Sequence, residues 1–147
     1  MESSAPTRVL VVAHKTAATP ALLQAVRDRA ARGPCEFTLL VPNAMGSLDR
    51  VMDPEDQADT EAHAVLDLAL PLLEEAAGSR VLGLVGDPAP LTAIQDAVNR
   101  DGYDEIIIST LGARVSKWLH LDLPSKATGL GLPVTTVTAK SRQEAAA

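Results

Sequence analysis

Apolar residues gather in five short runs along the chain: VLVVA (9–13), FTLLV (37–41), VLGLV (81–85), EIIIS (105–109) and VTTVT (134–138). Four are almost unbroken, which is the pattern of strands covered on both faces. The fifth alternates and carries three Thr, which predicts an edge strand. Between the runs, apolar positions return every three or four residues. Thr19 is placed to cap a helix, Pro20 suits its first position, and ALLQAVRDRAAR leads to a stop at Gly33. Leu22, Leu23, Val26 and Ala30 fall on one face of that helix. The stretch from Pro42 to Arg80 is too long for a bare connection and predicts a helix over about 55–77. Gly78 ends it, and Pro71 falls inside it, where a proline tends to kink. Asp87 is expected to cap a third helix whose Leu91, Ile94 and Val98 face the sheet. A shorter fourth helix belongs to STLGARVSKWLHLDLPS (109–125).

Strands that alternate with helices imply right-handed crossovers and a parallel sheet. The expected fold is α/β, a single doubly wound domain over residues 8–139. Its five-stranded parallel sheet has order 3-2-1-4-5, with helices on both faces. Segments 1–7 and 140–147 are expected to be flexible tails. In such sheets ligands bind beyond the carboxyl ends of the strands, where the strand order reverses. That crevice lies between the first and fourth strands, and AHKTAAT (13–19) and STLGAR (109–114) would line it.

Composition narrows the class. The chain has 147 residues, 46% of them hydrophobic but only 2% aromatic, so Val, Leu, Ile and Ala must fill the core. A formal net charge of -6 disfavours nucleic acid and anionic membrane as partners. The acids concentrate between Met52 and Ala77, at Asp53, Glu55, Asp56, Asp59, Glu61, Asp67, Glu74 and Glu75, with no Lys or Arg among them. Such a run is a solvated helix face or, more sharply, a docking patch for a basic partner. Cys35 is the sole cysteine, which excludes an internal disulfide and reads as a small core residue rather than a nucleophile. MESSAPTR has no apolar signal core, and no run reaches the roughly 18 apolar residues of a membrane helix. A soluble, cytoplasmic protein is expected.

Chemistry has few candidates. After the fourth strand, Ser109 and Thr110 offer hydroxyls, Gly112 permits a tight turn, and Arg114 and Lys117 add positive charge, which together suit an anion. A lone glycine beside hydroxyls serves equally well as a plain strand-to-helix turn. In the first loop, His14, Lys15 and Thr16 reach the same crevice. His14 could act as an acid or base, but no carboxylate adjoins it in sequence. His63 shares a helix face with Asp67, short of the three ligands a metal needs. The chain lacks a GxSxG elbow, a Walker-type phosphate loop and a CxxC pair, so hydrolytic and hydride chemistry have no positive support. Trp118 is expected to pack on the sheet or at an interface.

The order of GDPAPLTAIQDAV, DEIIISTLGARVSKWL and GLPVTTVTA resembles the universal stress protein family over roughly residues 8 to 139. The resemblance implies a nucleotide-binding type of α/β fold, homodimers paired through the last strand (Val134, Thr135, Thr136, Val137, Thr138) and, in one branch, ATP binding. ATP-binding members carry Gly-x-x-Gly, nine residues, then Gly with Ser or Thr. Here Ser109 stands for the first glycine, Gly112 keeps the second, and Asp122 with Leu123 replaces the final pair. Ser125 could take the hydroxyl role in a shifted match, but Pro124 before it has no N–H to offer phosphate. His14, after Ala13, replaces the acid that helps hold the nucleoside, whereas Val41 and Pro42 keep the apolar wall. Asp122 would oppose triphosphate at a cost of about 1 kcal/mol where water is excluded. The implied function is therefore a non-catalytic stress-protein-like module with an altered nucleotide site, binding ATP weakly or not at all, and acting through dimerisation and protein contacts. A nucleotide binder, of ATP, AMP or another nucleotide through Lys15, Thr110, Gly112, Arg114 and Ser125, is the alternative, and a small enzyme built on His14 has the least support.

Overall fold

Consecutive Val, Ile and Leu can be buried on both faces of a pleat only if helices cover both, and the computed structural model shows this layering. It describes residues 6–14, 16–43, 54–111, 117–120 and 122–139. The expected tails at residues 1–5 and 140–147 lie outside the described residues, as do Lys15, Gly112 and Arg114. The elements run β1 (Thr7–Val12), α1 (Pro20–Ala31), β2 (Cys35–Pro42), α2 (Pro54–Ala77), β3 (Val81–Gly86), α3 (Pro90–Asp101), β4 (Glu105–Thr110), α4 (Lys117–His120), α5 (Leu123–Thr128) and β5 (Val134–Thr138). All strand pairs are parallel, as the strand and helix alternation predicts, and the order is the expected β3-β2-β1-β4-β5. VLGLV departs from the expected strand covered on both faces: β3 is an outer strand with a neighbour on one side only, and its Leu82 is 53% exposed.

The central strand β1 sets the register, with Val9 opposite both Phe37 and Glu105. Side chains of alternate parity enter two cores. On one face Val9, Val11, Phe37, Leu39 and Ile107 pack under Leu22 and Val26 of α1 and Ala62, Leu66, Ala69 and Leu73 of α2. On the other, Leu10, Val12, Leu40, Ile106 and Ile108 pack under Ala93, Ile94 and Ala97 of α3 and Leu123 and Ala127 of α5, with Trp118 partly buried against them. Small alanines let the helices approach the sheet closely, which explains how a core so poor in aromatics fills its space.

Two expected caps differ. Thr19 precedes α1 in an extended conformation, but its hydroxyl donates to the Thr16 carbonyl at 2.9 Å rather than accepting from the helix. Asp87 does not cap α3, because Pro88 to Ala89 intervene and Ala89 is the residue before the helix. The Asp87 carboxylate instead accepts from the Ala89 N–H at 2.8 Å, a local turn that competes with capping. The fourth helix of the sequence reading is two short pieces, α4 and α5, separated at Asp122. Gly78 ends α2 with φ 72 and donates to the Glu74 carbonyl at 2.8 Å, as an αL helix stop should.

Candidate functional site

The strand order reverses beside β1, so the carboxyl ends of β1 and β4 flank a crevice with β2 on its far side. The chain leaves β1 through Ala13, which is fully buried and donates to the Leu40 carbonyl at 3.2 Å. His14 follows, half-buried, with its carbonyl accepting from Ala17 at 3.2 Å. The turn then folds back so that Thr16, 2% exposed, points at β4.

There it meets Ser109, 1% exposed, and the two hydroxyl oxygens lie 2.6 Å apart. Each hydroxyl can donate only once, and this contact spends one of the two donors. Ser109 therefore joins the first loop to the fourth strand. Next in β4, Thr110 turns to the opposite face of the sheet. It is 2% exposed, and its Oγ1 is buried without a hydrogen-bond partner among the described residues. Its carbonyl accepts from Ala139 at 2.8 Å, which carries the β4–β5 ladder beyond the strand ends.

Val41 and Pro42 are both buried and make an apolar wall at the end of β2. Sequence reasoning missed the next residue, Asn43. Its N–H donates to the Gly86 carbonyl at 2.9 Å, while its Oδ1 is buried without a partner among the described residues. The available signal was its place: a polar side chain one step past a buried strand at the carboxyl edge.

The second half of the family pattern behaves unevenly. Asp122 has φ 60 and ψ 38, the sole non-glycine with positive φ among the described residues. This left-handed conformation is one that glycine adopts freely and aspartate tolerates. Pro124 sits in the first turn of α5, and Ser125 is exposed on that helix. The Asp122 carbonyl accepts from Lys126 at 3.1 Å, and its side chain makes no cap. The structure brings Ala13, His14, Thr16, Val41, Pro42, Ser109 and Thr110 to the carboxyl ends of the three adjacent strands. Among the described residues, no hydrogen bond joins Ser125 to that group.

The opposite edge of the sheet holds a different kind of polar site. Arg29 donates to both carboxylate oxygens of Glu105, at 2.9 and 3.0 Å, with side chains only 15% and 20% exposed. The hydrogen bonds to Glu105 raise the Arg29 pKa, and burial opposes them. Cys35 lies beside this pair, half-buried, and burial pushes its thiol pKa up while Arg29 pulls it down.

No family model matches the sequence, and a comparison with curated proteins gives no match. Solved structures do match. The universal stress protein from Archaeoglobus fulgidus superposes with a TM-score of 0.63 at 17% identity, covering 89% of this chain and 93% of that one. The Archaeoglobus fulgidus protein in complex with dAMP gives 0.60 at 18% identity, covering 92% and 99%. A universal stress protein family member from Arabidopsis thaliana with AMP bound gives 0.61 at 16% identity, covering 94% and 95%. The chain has the universal stress protein fold, over nearly its whole length.

Proposed function

We propose that the protein is a non-catalytic, universal-stress-protein-like module whose nucleotide crevice is altered, binding ATP weakly or not at all, and that it works in the cytoplasm through dimerisation and protein contacts. The observation that carries this reading is the buried Thr16–Ser109 hydroxyl pair at 2.6 Å. The contact spends one of the two O–H donors internally, and at 2% and 1% exposure Thr16 and Ser109 offer phosphate little access to the other. Asp122 adds like charge where the pattern has glycine, and Pro124 withdraws an N–H. Thermal-shift titration with Mg-ATP tests it. Saturation at 100 times a dissociation constant adds about 2.7 kcal/mol, a shift that is easy to see. The expected result is no shift at millimolar ATP, and a saturating rise in melting temperature overturns the reading.

One observation favours a second reading, a binder of nucleoside monophosphates. Thr110 Oγ1 and Asn43 Oδ1 are buried at the same edge with no partner among the described residues, and such groups are commonly completed by a ligand. The dAMP- and AMP-bound neighbours share the fold. An AMP arm of the same titration separates the two readings: a shift with AMP alone selects the second.

Dimerisation would use β5, an outer strand of the sheet with Thr135 and Thr136 exposed. Its free edge can pair with a second copy. Light scattering should give about twice the chain mass, and Thr136→Pro should give monomers because proline removes a ladder donor. A wild-type monomer at high concentration rules out this dimer.

A further inference from the structure

The outer side of α2 is not uniformly polar. Leu68 is 68% exposed and Leu72 is 38% exposed. Glu61, Ala64 and Glu75 are exposed as well, and these five positions follow one another at three- or four-residue spacing, so they form one stripe. The core does not use it: Ala62, Leu66, Ala69, Leu73 and Ala76 form the buried face. Gly83 of β3 is already covered by the ends of Leu70 and Leu66, at 3.0 and 3.1 Å from where a Cβ would stand. A single exposed leucine is ordinary. Two leucines one turn apart, bracketed by carboxylates, have the spacing with which one helix receives another.

Charge selects the occupant. From residue 61 to 77 the helix carries Glu61, Asp67, Glu74 and Glu75 and no Lys or Arg. Glu74 is engaged, since it accepts from the Val81 N–H at 3.0 Å, but Glu61, Asp67 and Glu75 are exposed. A second copy of this chain, docked antiparallel about a two-fold axis, would bring Glu61 of one helix toward Glu75 of the other, like against like. An anionic membrane is repelled in the same way. We propose that this side of α2 docks a basic amphipathic helix of a partner protein. Two apolar side chains of that helix, one turn apart, pack on Leu68 and Leu72, and its Lys or Arg residues face Glu61, Asp67 and Glu75. The surface is separate from the crevice, so the proposal stands whatever the crevice binds.

Fluorescence anisotropy tests it with a labelled four-turn helical peptide that has Leu one turn apart and Lys on either side, titrated with the full chain. A matched peptide with Glu in place of Lys is the control. Saturable binding of the Lys peptide is expected, weakened about tenfold or more by Leu68→Ala with Leu72→Ala and also by Glu61→Gln with Glu75→Gln. All variants should stay folded, with the leucine variant melting slightly lower because Leu72 is more than half covered. The proposal is overturned if the Lys peptide fails to bind, if the double leucine variant binds it as well as wild type, or if the Glu peptide binds equally. Self-association lost in the leucine variant assigns the stripe to a second copy instead. Leucine-dependent binding to vesicles of phosphatidylcholine and phosphatidylserine assigns it to membrane, and either result also overturns the proposal.

Discussion

At the amino ends of its strands the sheet pairs its polar groups in fixed geometry. Arg29 donates twice to Glu105, the Asp104 carboxylate accepts from the Arg8 N–H at 2.8 Å, and Arg8 lies 5.0 Å over the Tyr103 ring. At the carboxyl ends the same strands do otherwise. Thr110 Oγ1 and Asn43 Oδ1 are buried and unpartnered among the described residues, and the Thr16 and Ser109 hydroxyls bond to each other. One end is built for stability. The other retains buried oxygens without a partner among the described residues, which cost free energy unless something completes them.

Substitutions can break this contrast. Arg29→Ala should have the largest effect, a loss of about 2 to 3 kcal/mol in denaturant unfolding, because it strands the largely buried Glu105 carboxylate. Arg29→Lys should recover only part, since a single ammonium cannot reproduce the two-pronged contact. An Arg29→Ala protein as stable as wild type would remove the amino-edge half of the contrast. Thr16→Val should cost about 1 to 2 kcal/mol by leaving the Ser109 hydroxyl buried and unpaired. Adding Ser109→Ala should recover part of that loss, and two strictly additive losses would mean the hydroxyls are not partners.

Thr110→Val should have the opposite sign. It removes an unpartnered buried oxygen with little change of shape, so stability should rise by up to about 1 kcal/mol. A clear loss in the same unfolding experiment would show that Thr110 Oγ1 is satisfied. Cys35 gives the smallest effect. Burial holds its thiol protonated to higher pH than an exposed thiol, so iodoacetamide should modify it more slowly than a free cysteine peptide at pH 8, with the rate rising as pH increases. A rate equal to the peptide's would contradict the burial that encloses the amino edge.

Three of the four unbroken Val, Leu and Ile runs were legible as doubly covered strands, and alternation with helices made the sheet parallel; VLGLV misled, because an apolar run can also be an outer strand, as β3 is, with Leu82 53% exposed. The caps were less legible. Thr19 and Asp87 are good capping residues, but each has a nearer backbone partner that only the folded loop supplies. At the crevice, sequence placed Ser109 and Thr16 on facing loops but could not show that their hydroxyls meet, since 93 residues separate them. The left-handed turn at Asp122 was hidden behind its side chain, because aspartate does not announce a positive φ as glycine does. Asn43 and the Arg29–Glu105 pair were missed for the same reason: single polar residues at strand or helix ends have meaning only once the register is known.

Native mass spectrometry of the purified protein tests the central claim most directly. The proposed altered crevice predicts the mass of the chain, or twice that mass, with no nucleotide attached. A stoichiometric adduct of ATP mass would contradict it.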